Sequence, residues 1–417
     1  MFIVPKTVGG RPWVLGSVVA LGLISAGAGA WFLNAVAPES QAATVARSAK
    51  PKLAKRPPIE VVEDLPQLKA RLEAMAATGQ FTGAVLVSKG DQVLFRQVYG
   101  KANYEQNTPF ALDTRFRLAS VSKQFTAVAI LKLQDEGKLS VNDPVCQWIE
   151  PCPEAWRPLR IHHLLSHTSG IPDLMAQAEW GRIRVTHRTP QELTETSARY
   201  GLQFEPGTKV RYNNAAFNLA AVIVAKASGM AFEDYLEQAL LRPLGMKDTG
   251  SDVNDDAQGV AMGYGLFPQG LTPQKIANVS VVAGAGALYS TMDDMLAWNR
   301  ALNRGQVLSD AAYSDFTADH APPDPEREKP GRPHRAFGYG IYVSALGERV
   351  SPRFSDRQVY HTGSWAGFRN LVSYQPDQDV TVVVLSNNYH LRDQVLLINQ
   401  QAMAEALGRP FPTVLEP

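Results

Sequence analysis

The spacing of apolar positions divides the chain into segments of different period. Leu65, Leu68, Leu72 and Met75 recur every three or four residues and predict a helix over 65–79, closed by Gly79. FTGAVLVSKGDQVLFRQVYG (81–100) carries apolar runs on both sides of Gly90–Asp91 and predicts two strands joined by a turn. From Phe125 to Leu133 the chain is apolar nearly all round, so this helix is expected to be central and buried, ending at Gly137. Helical spacing continues through 140–270, as in FNLAAVIVAKASG (217–229) and AFEDYLEQALL (231–241). Strand-like runs return only at 336–345, 368–376 and 380–388, before a last helical run over 395–408. Strands at both ends and helices between them predict an α/β (α+β) domain. It would have one antiparallel sheet formed from both ends of the domain, flanking helices and an inserted, mainly helical region.

One apolar run lies outside that plan. WVLGSVVALGLISAGAGAWFLNAVA (13–37) carries no charge and follows Lys6 and Arg11. Roughly 20 apolar residues suffice to cross a bilayer, and Trp13 and Trp31 suit its interfaces. Residues 1–37 are therefore expected to be a membrane anchor or signal segment. An uncleaved anchor is preferred, because a cleaved signal has a shorter apolar core; the alternative cut follows Ala42. Residues 38–59, small, basic and proline-bearing, read as a linker, leaving 60–410 as the folded domain.

Composition adds little to the fold: 45% hydrophobic and 19% charged is ordinary for a globular chain. Charge says more. Residues 1–60 carry +5 and the remainder −4, so the body lacks the concentrated basic face that nucleic acid requires, and no nucleic-acid partner is expected. Arg47, Lys50, Lys52, Lys55 and Arg56 outnumber the basic residues before the span, a distribution that by itself would hold the C-terminal side in the cytoplasm. The only cysteines, Cys146 and Cys152, read as a short disulfide loop if the body is exported, and otherwise as two separate buried thiols.

Three short elements carry candidate chemistry. Ser120 and Lys123 form a Ser-x-x-Lys at the mouth of the buried helix, one turn apart on one side. A serine at a helix N-terminus can become a nucleophile whose own N–H helps hold an oxyanion, provided burial keeps the lysine from being permanently charged. Read blandly, the pair is a helix cap with a surface lysine. Tyr212 and Asn214 form a Tyr-x-Asn in an asparagine-rich loop before a helix. To serve as a base near neutrality the phenol needs ~4 kcal/mol of differential stabilisation, for which Lys123 is the available cation. Asn214 could hold both the lysine and a substrate amide. His361, Thr362 and Gly363 are expected at the start of a strand, where the glycine would let substrate lie against the strand edge. Ser364 offers a second oxyanion N–H, and its hydroxyl and that of Thr362 could meet a carboxylate.

In this order, about 90 and 150 residues apart, the three elements resemble the penicillin-recognising serine hydrolases, that is, serine β-lactamases and penicillin-binding proteins. The Tyr-x-Asn form is similar to the branch holding class C β-lactamases, D-alanyl-D-alanine carboxypeptidases, esterases and D-aminopeptidases. RLASVSKQFTA, LLSHTSGI, YNNAAFNLA, GALYSTMDDMLAW and HTGSWAGF carry the resemblance, over roughly residues 65–405. It implies a β-lactamase/transpeptidase-like fold and an active-site serine hydrolase working through a covalent acyl-enzyme. Ser120 would be the nucleophile, Lys123 its activating partner and Tyr212 the general base, with Asn214, His361, Thr362, Gly363 and Ser364 holding substrate. It implies no cofactor, and a small peptide, ester or β-lactam as partner. Typical β-lactamases have lysine where this chain has His361, so D-amino-acid peptides of the D-Ala-D-Ala carboxypeptidase type are expected ahead of β-lactams or esters. The branch works outside the cytoplasmic membrane, which places the body there, anchored or secreted, against the charge distribution.

Rival readings are thinner. His163 and His167 have chelating spacing beside His162, but HHLLSHTSG lacks the Glu of a His-Glu-x-x-His, so no metal is expected. A non-catalytic penicillin or wall-fragment binding protein is the alternative of a different class.

Overall fold

A computed structural model describes residues 52–416 apart from 63, 275–276, 325–327, 329–333 and 335. The expected anchor and most of the linker, to residue 51, lie outside the described residues.

The elements that frame the site, in chain order, are helix α1 (Pro66–Ala77), strands β1 (Gly83–Lys89) and β2 (Gln92–Tyr99), and helices α2 (Lys123–Asp135), α3 (Ala215–Ser228) and α4 (Met292–Asn303). Strands β3 (Ala336–Phe337), β4 (Tyr342–Ser344), β5 (Gln358–Trp365), β6 (Phe368–Gln375) and β7 (Val380–Ser386) follow, then helix α5 (Arg392–Ala406). The seven strands form one antiparallel sheet in the order β3-β4-β5-β6-β7-β1-β2. The two ends of the domain meet where β1 pairs with β7, from Ala84 opposite Leu385 to Lys89 opposite Val380.

Both faces of the sheet are covered, which explains why β7 is buried along its whole length instead of alternating. Ala84, Leu86, Val383 and Leu385 join the core shared with α2, α3 and α4. Val85, Val87, Val382 and Val384 join the other, with Leu68 and Leu72 of α1 and Ile398 and Ala402 of α5. The run 336–345 is not one strand. A turn separates β3 from β4, with the Gly338 N–H donating to the Ile341 carbonyl at 3.0 Å. His361 falls in the middle of β5 rather than at a strand start.

Contacts with the body begin before residue 60. The Ala54 N–H donates to the Arg242 carbonyl at 3.0 Å, and Arg56 pairs with the buried Asp294 carboxylate. No single helix among the described residues is long and apolar enough to cross a membrane.

Candidate active site

The serine turn is built by the backbone before it. Asn370 of β6, fully buried, donates through Nδ2 to the Arg117 carbonyl at 2.9 Å and the Leu118 carbonyl at 3.1 Å. The Leu118 N–H donates to the Leu288 carbonyl at 2.8 Å. Ala119 then adopts φ +52°, a left-handed conformation costly for a residue with a β-carbon and one that the surrounding bonds must hold in place. Ser120 lies in the 3₁₀ turn Ala119–Ser122 that leads into α2, so the α-helix starts at Lys123 rather than at the serine.

Lys123 is fully buried, and its Nζ has three partners: Asn214 Oδ1 at 2.8 Å, the Ala285 carbonyl at 2.9 Å and Ser120 Oγ at 3.2 Å. The first two are carbonyl oxygens and can only accept. They take two N–H bonds, and the remaining position on the nitrogen faces the serine hydroxyl. Burial lowers the Lys123 pKa to about 7, against an opposing effect from Asp173, so the free amine is populated at neutral pH. The Ala285 carbonyl comes this close because Gly284 packs on α3; a β-carbon there would lie 2.1 Å from the Phe217 carbonyl oxygen.

The Tyr-x-Asn loop is held by the LLSHTSGI segment. The His167 Nδ1 accepts from the Asn213 N–H at 3.0 Å, and the Asn213 amide donates to the Ile171 carbonyl. The His167 ring packs 4.4 Å from that of Tyr212. His167 Nδ1 is thus committed to this loop, and His163 Nδ1 accepts from the Arg160 N–H at 3.1 Å. Tyr212 lies within hydrogen-bond reach of Ser120, and Lys123 Nζ stands 4.7 Å from its ring centre. Burial, with Tyr342 adding to it, holds the phenol well above its ordinary pKa, so the resting hydroxyl is protonated. The expected pull of Lys123 on Tyr212 is not what results, because burial lowers the lysine itself. Asn214 gives its oxygen to Lys123 and its Nδ2 to Asp173 Oδ2 at 2.9 Å, with Met175 Sδ at 3.4 Å.

Strand β5 closes the third side. Thr362 and Ser364 line the cleft. Gly363 has a task beyond the one expected: a β-carbon there would meet the Leu118 carbonyl oxygen at 2.1 Å, so the glycine lets β5 press against the serine turn. His361 is 1% exposed and does not line the cleft. It lies beneath, its ring centre 6.2 Å from that of Tyr212, with Nδ1 bonded to the Thr362 carbonyl at 2.6 Å. Burial first and the nearby Lys123 second lower its pKa to about 3, so it is neutral. β4 covers only Gln358–Tyr360, and no described strand pairs with the outer edge of 361–365.

The cleft, of about 270 Å³, is lined by Ser120, Tyr212, Asn214, Thr362 and Ser364, which the sequence singles out, and by Met175, Val282, Ala285, Tyr342 and Trp365, which it does not. Asp173 behind Asn214 was also missed; 41 residues separate them and no motif spacing links them. Cys146 and Cys152 form a disulfide away from the cleft.

A serine at a helix mouth, a buried amine bonded to it and a phenol beside both define a serine hydrolase. Residues 68–404 match the Beta-lactamase family, and the chain belongs to it. Penicillin-binding protein 4* of Bacillus subtilis (strain 168) is 27% identical over 361 residues, 82% of this chain and 76% of that protein. A D-aminopeptidase of Gluconobacter oxydans (strain 621H) is 29% identical over 360 residues, 82% of this chain but 63% of that protein. The octameric penicillin-binding protein homologue from Pyrococcus abyssi superposes with a TM-score of 0.69 at 26% identity, covering 83% of this chain and 78% of that one.

Proposed function

We propose that the chain hydrolyses D-amino-acid peptides of the D-Ala-D-Ala carboxypeptidase type through an acyl ester on Ser120. The observation that carries this reading is the Lys123 nitrogen, with two N–H bonds taken by carbonyls and its third position 3.2 Å from Ser120 Oγ. In acylation the serine proton passes to the Lys123 amine as Oγ bonds the substrate carbonyl carbon. The N–H groups of Ser120 and Ser364 hold the oxyanion. Tyr212 gives its proton to the departing nitrogen, and the new ammonium beside the ring offsets the charge left on the phenol oxygen. In deacylation water gives a proton to Tyr212 and attacks the ester, and Lys123 returns its proton to Oγ. Proton and bond counts close on one peptide and one water consumed.

The unpaired edge of β5 suits an extended peptide, and the hydroxyls of Thr362 and Ser364 suit its terminal carboxylate. The D configuration is supported by the named activity of the Gluconobacter relative. Weak β-lactam turnover follows from His361, neutral and beneath the cleft instead of charged within it. The body is read as standing on the outer side of the cytoplasmic membrane, held by 13–37; the uncharged stretch and the disulfide support this, and a reporter fused after residue 60 tests it. The test of the substrate is a panel of D-Ala-D-Ala peptides, D-amino-acid amides, short esters and nitrocefin. The peptides should give the highest kcat/KM, and a preference for nitrocefin, the esters or the amides would overturn the assignment.

A further inference from the structure

Asp173 does not line the cleft, yet three hydrogen bonds tie its carboxylate to the site. Oδ2 accepts from the Asn214 backbone N–H at 3.1 Å and from Asn214 Nδ2 at 2.9 Å, and Oδ1 accepts from the Met175 N–H at 3.0 Å. A carboxylate has no proton to give. The side of the Asn214 amide that faces Asp173 must therefore be its NH₂, and the side that faces Lys123 must be its oxygen. Ordinarily the two ends of an asparagine amide exchange at little cost; here the carboxylate removes that freedom.

The orientation matters because of what the lysine does with it. With the Asn214 oxygen toward it, the Lys123 amine spends one N–H there and one on the Ala285 carbonyl, and its lone pair faces Ser120. With the amide reversed, Asn214 would offer an N–H instead, and the lone pair would turn to accept it, away from the serine. We propose that Asp173 is the positioning residue of the catalytic base: by locking the Asn214 amide it aims the Lys123 lone pair at Ser120.

The charged and titratable groups that face Lys123 from the packed elements are Asp173, Tyr212, His167 and His361. Burial holds His167 well below its ordinary value, His361 at about 3 and Tyr212 well above 10, so none of them changes charge near neutrality. Asp173 is the anion of the set and raises the lysine against the effect of burial. Its removal lowers the Lys123 pKa, and the amine then persists to lower pH.

The proposal rests on Ser120 acylation as described above, and its test reads that step. The rate of Ser120 labelling by a fluorophosphonate is measured against pH for the full chain and for Asp173→Asn and Asp173→Glu, with thermal unfolding recorded in parallel. Fluoride leaves without help from Tyr212, so the rate follows removal of the serine proton. Asp173→Asn should move the acid limb to lower pH by about one unit and reduce the high-pH plateau on the order of tenfold to a hundredfold. Asp173→Glu, which keeps the charge but displaces it, should lower the plateau and leave the acid limb in place. A folded Asp173→Asn that keeps the unmodified plateau, or whose acid limb does not move, overturns the proposal. Should that variant not fold, a wild-type plateau in Asp173→Glu overturns it. Absence of Ser120 labelling in the unmodified chain would strike the acyl-enzyme reading instead, and so separates the two failures.

Discussion

Lys123 Nζ stands over the face of the Tyr212 ring, 4.7 Å from its centre, with the lysine fully buried and the tyrosine half-buried in the cleft wall. Burial acts on them in opposite senses. It drives the lysine toward the neutral amine and keeps the tyrosine a neutral phenol, since each charged form loses hydration. The resting pair at slightly alkaline pH is thus amine and phenol, a base and an acid ready for the two proton transfers of acylation.

The pH dependence follows from that pairing. Acylation requires the amine, so its rate is low below pH 7, where Lys123 is an ammonium, and rises through a midpoint of about 7. Lys123→Arg imposes a permanent charge and removes the base, because guanidinium does not deprotonate. Stopped-flow acylation should fall ~10²–10⁴-fold and lose the acid limb. An arginine variant that retained the limb would assign it elsewhere.

Tyr212→Phe keeps the packing against His167 and removes the proton for the leaving group. Peptide turnover should drop ~10²–10⁴-fold in kcat with KM little changed. Labelling by a fluorophosphonate, whose leaving group needs no proton, should fall much less. Equal losses with both reagents would show that the tyrosine is structural.

The neutrality of His361 makes a statement about stability. Its folded pKa is about 3 and an unfolded histidine titrates near 6.5, so the unfolded chain binds the proton first. The contribution is fully present above pH 6.5 and is lost as pH falls toward 3, at up to ~1.4 kcal/mol per pH unit. Urea unfolding at a series of pH values should give a shallower acid decline for His361→Gln than for the unmodified protein. Parallel curves would mean that His361 takes up its proton in the native state as readily as in the unfolded one.

Gly363→Ala tests the contact between β5 and the serine turn. The added methyl meets the Leu118 carbonyl oxygen, which is fixed by Asn370, so the strand must move. A loss of ~1–3 kcal/mol in stability is expected. The fall in kcat should exceed any change in KM, because the strand carries the Ser364 N–H. Calorimetry and steady-state kinetics on one preparation check both, and an unaltered kcat would show that the turn is positioned independently of β5.

The periodic parts of this chain were the legible ones. Helix α1 and strands β1, β2, β6 and β7 lie within a residue or two of their apolar runs, because an element buried on a face writes that face into its spacing. Ser120, Lys123, Tyr212 and Asn214 were legible for another reason: short fixed spacings tie each pair to one turn or loop. Asp173 and Asn370 act across long sequence separations, through contacts that exist only once the sheet and helices have packed, so no local pattern announces them. Gly363 was found, but only half of its task was legible. A glycine at a strand edge signals a close approach without saying what approaches, and here it is the chain's own carbonyl.

The acyl group is held on Ser120 in every step derived above. Intact-mass and peptide mass spectrometry after fluorophosphonate treatment at pH 8 should find one adduct, on the peptide carrying Ser120, and none in Ser120→Ala. An adduct that persists in the folded alanine variant, or that maps to another residue, would contradict that assignment.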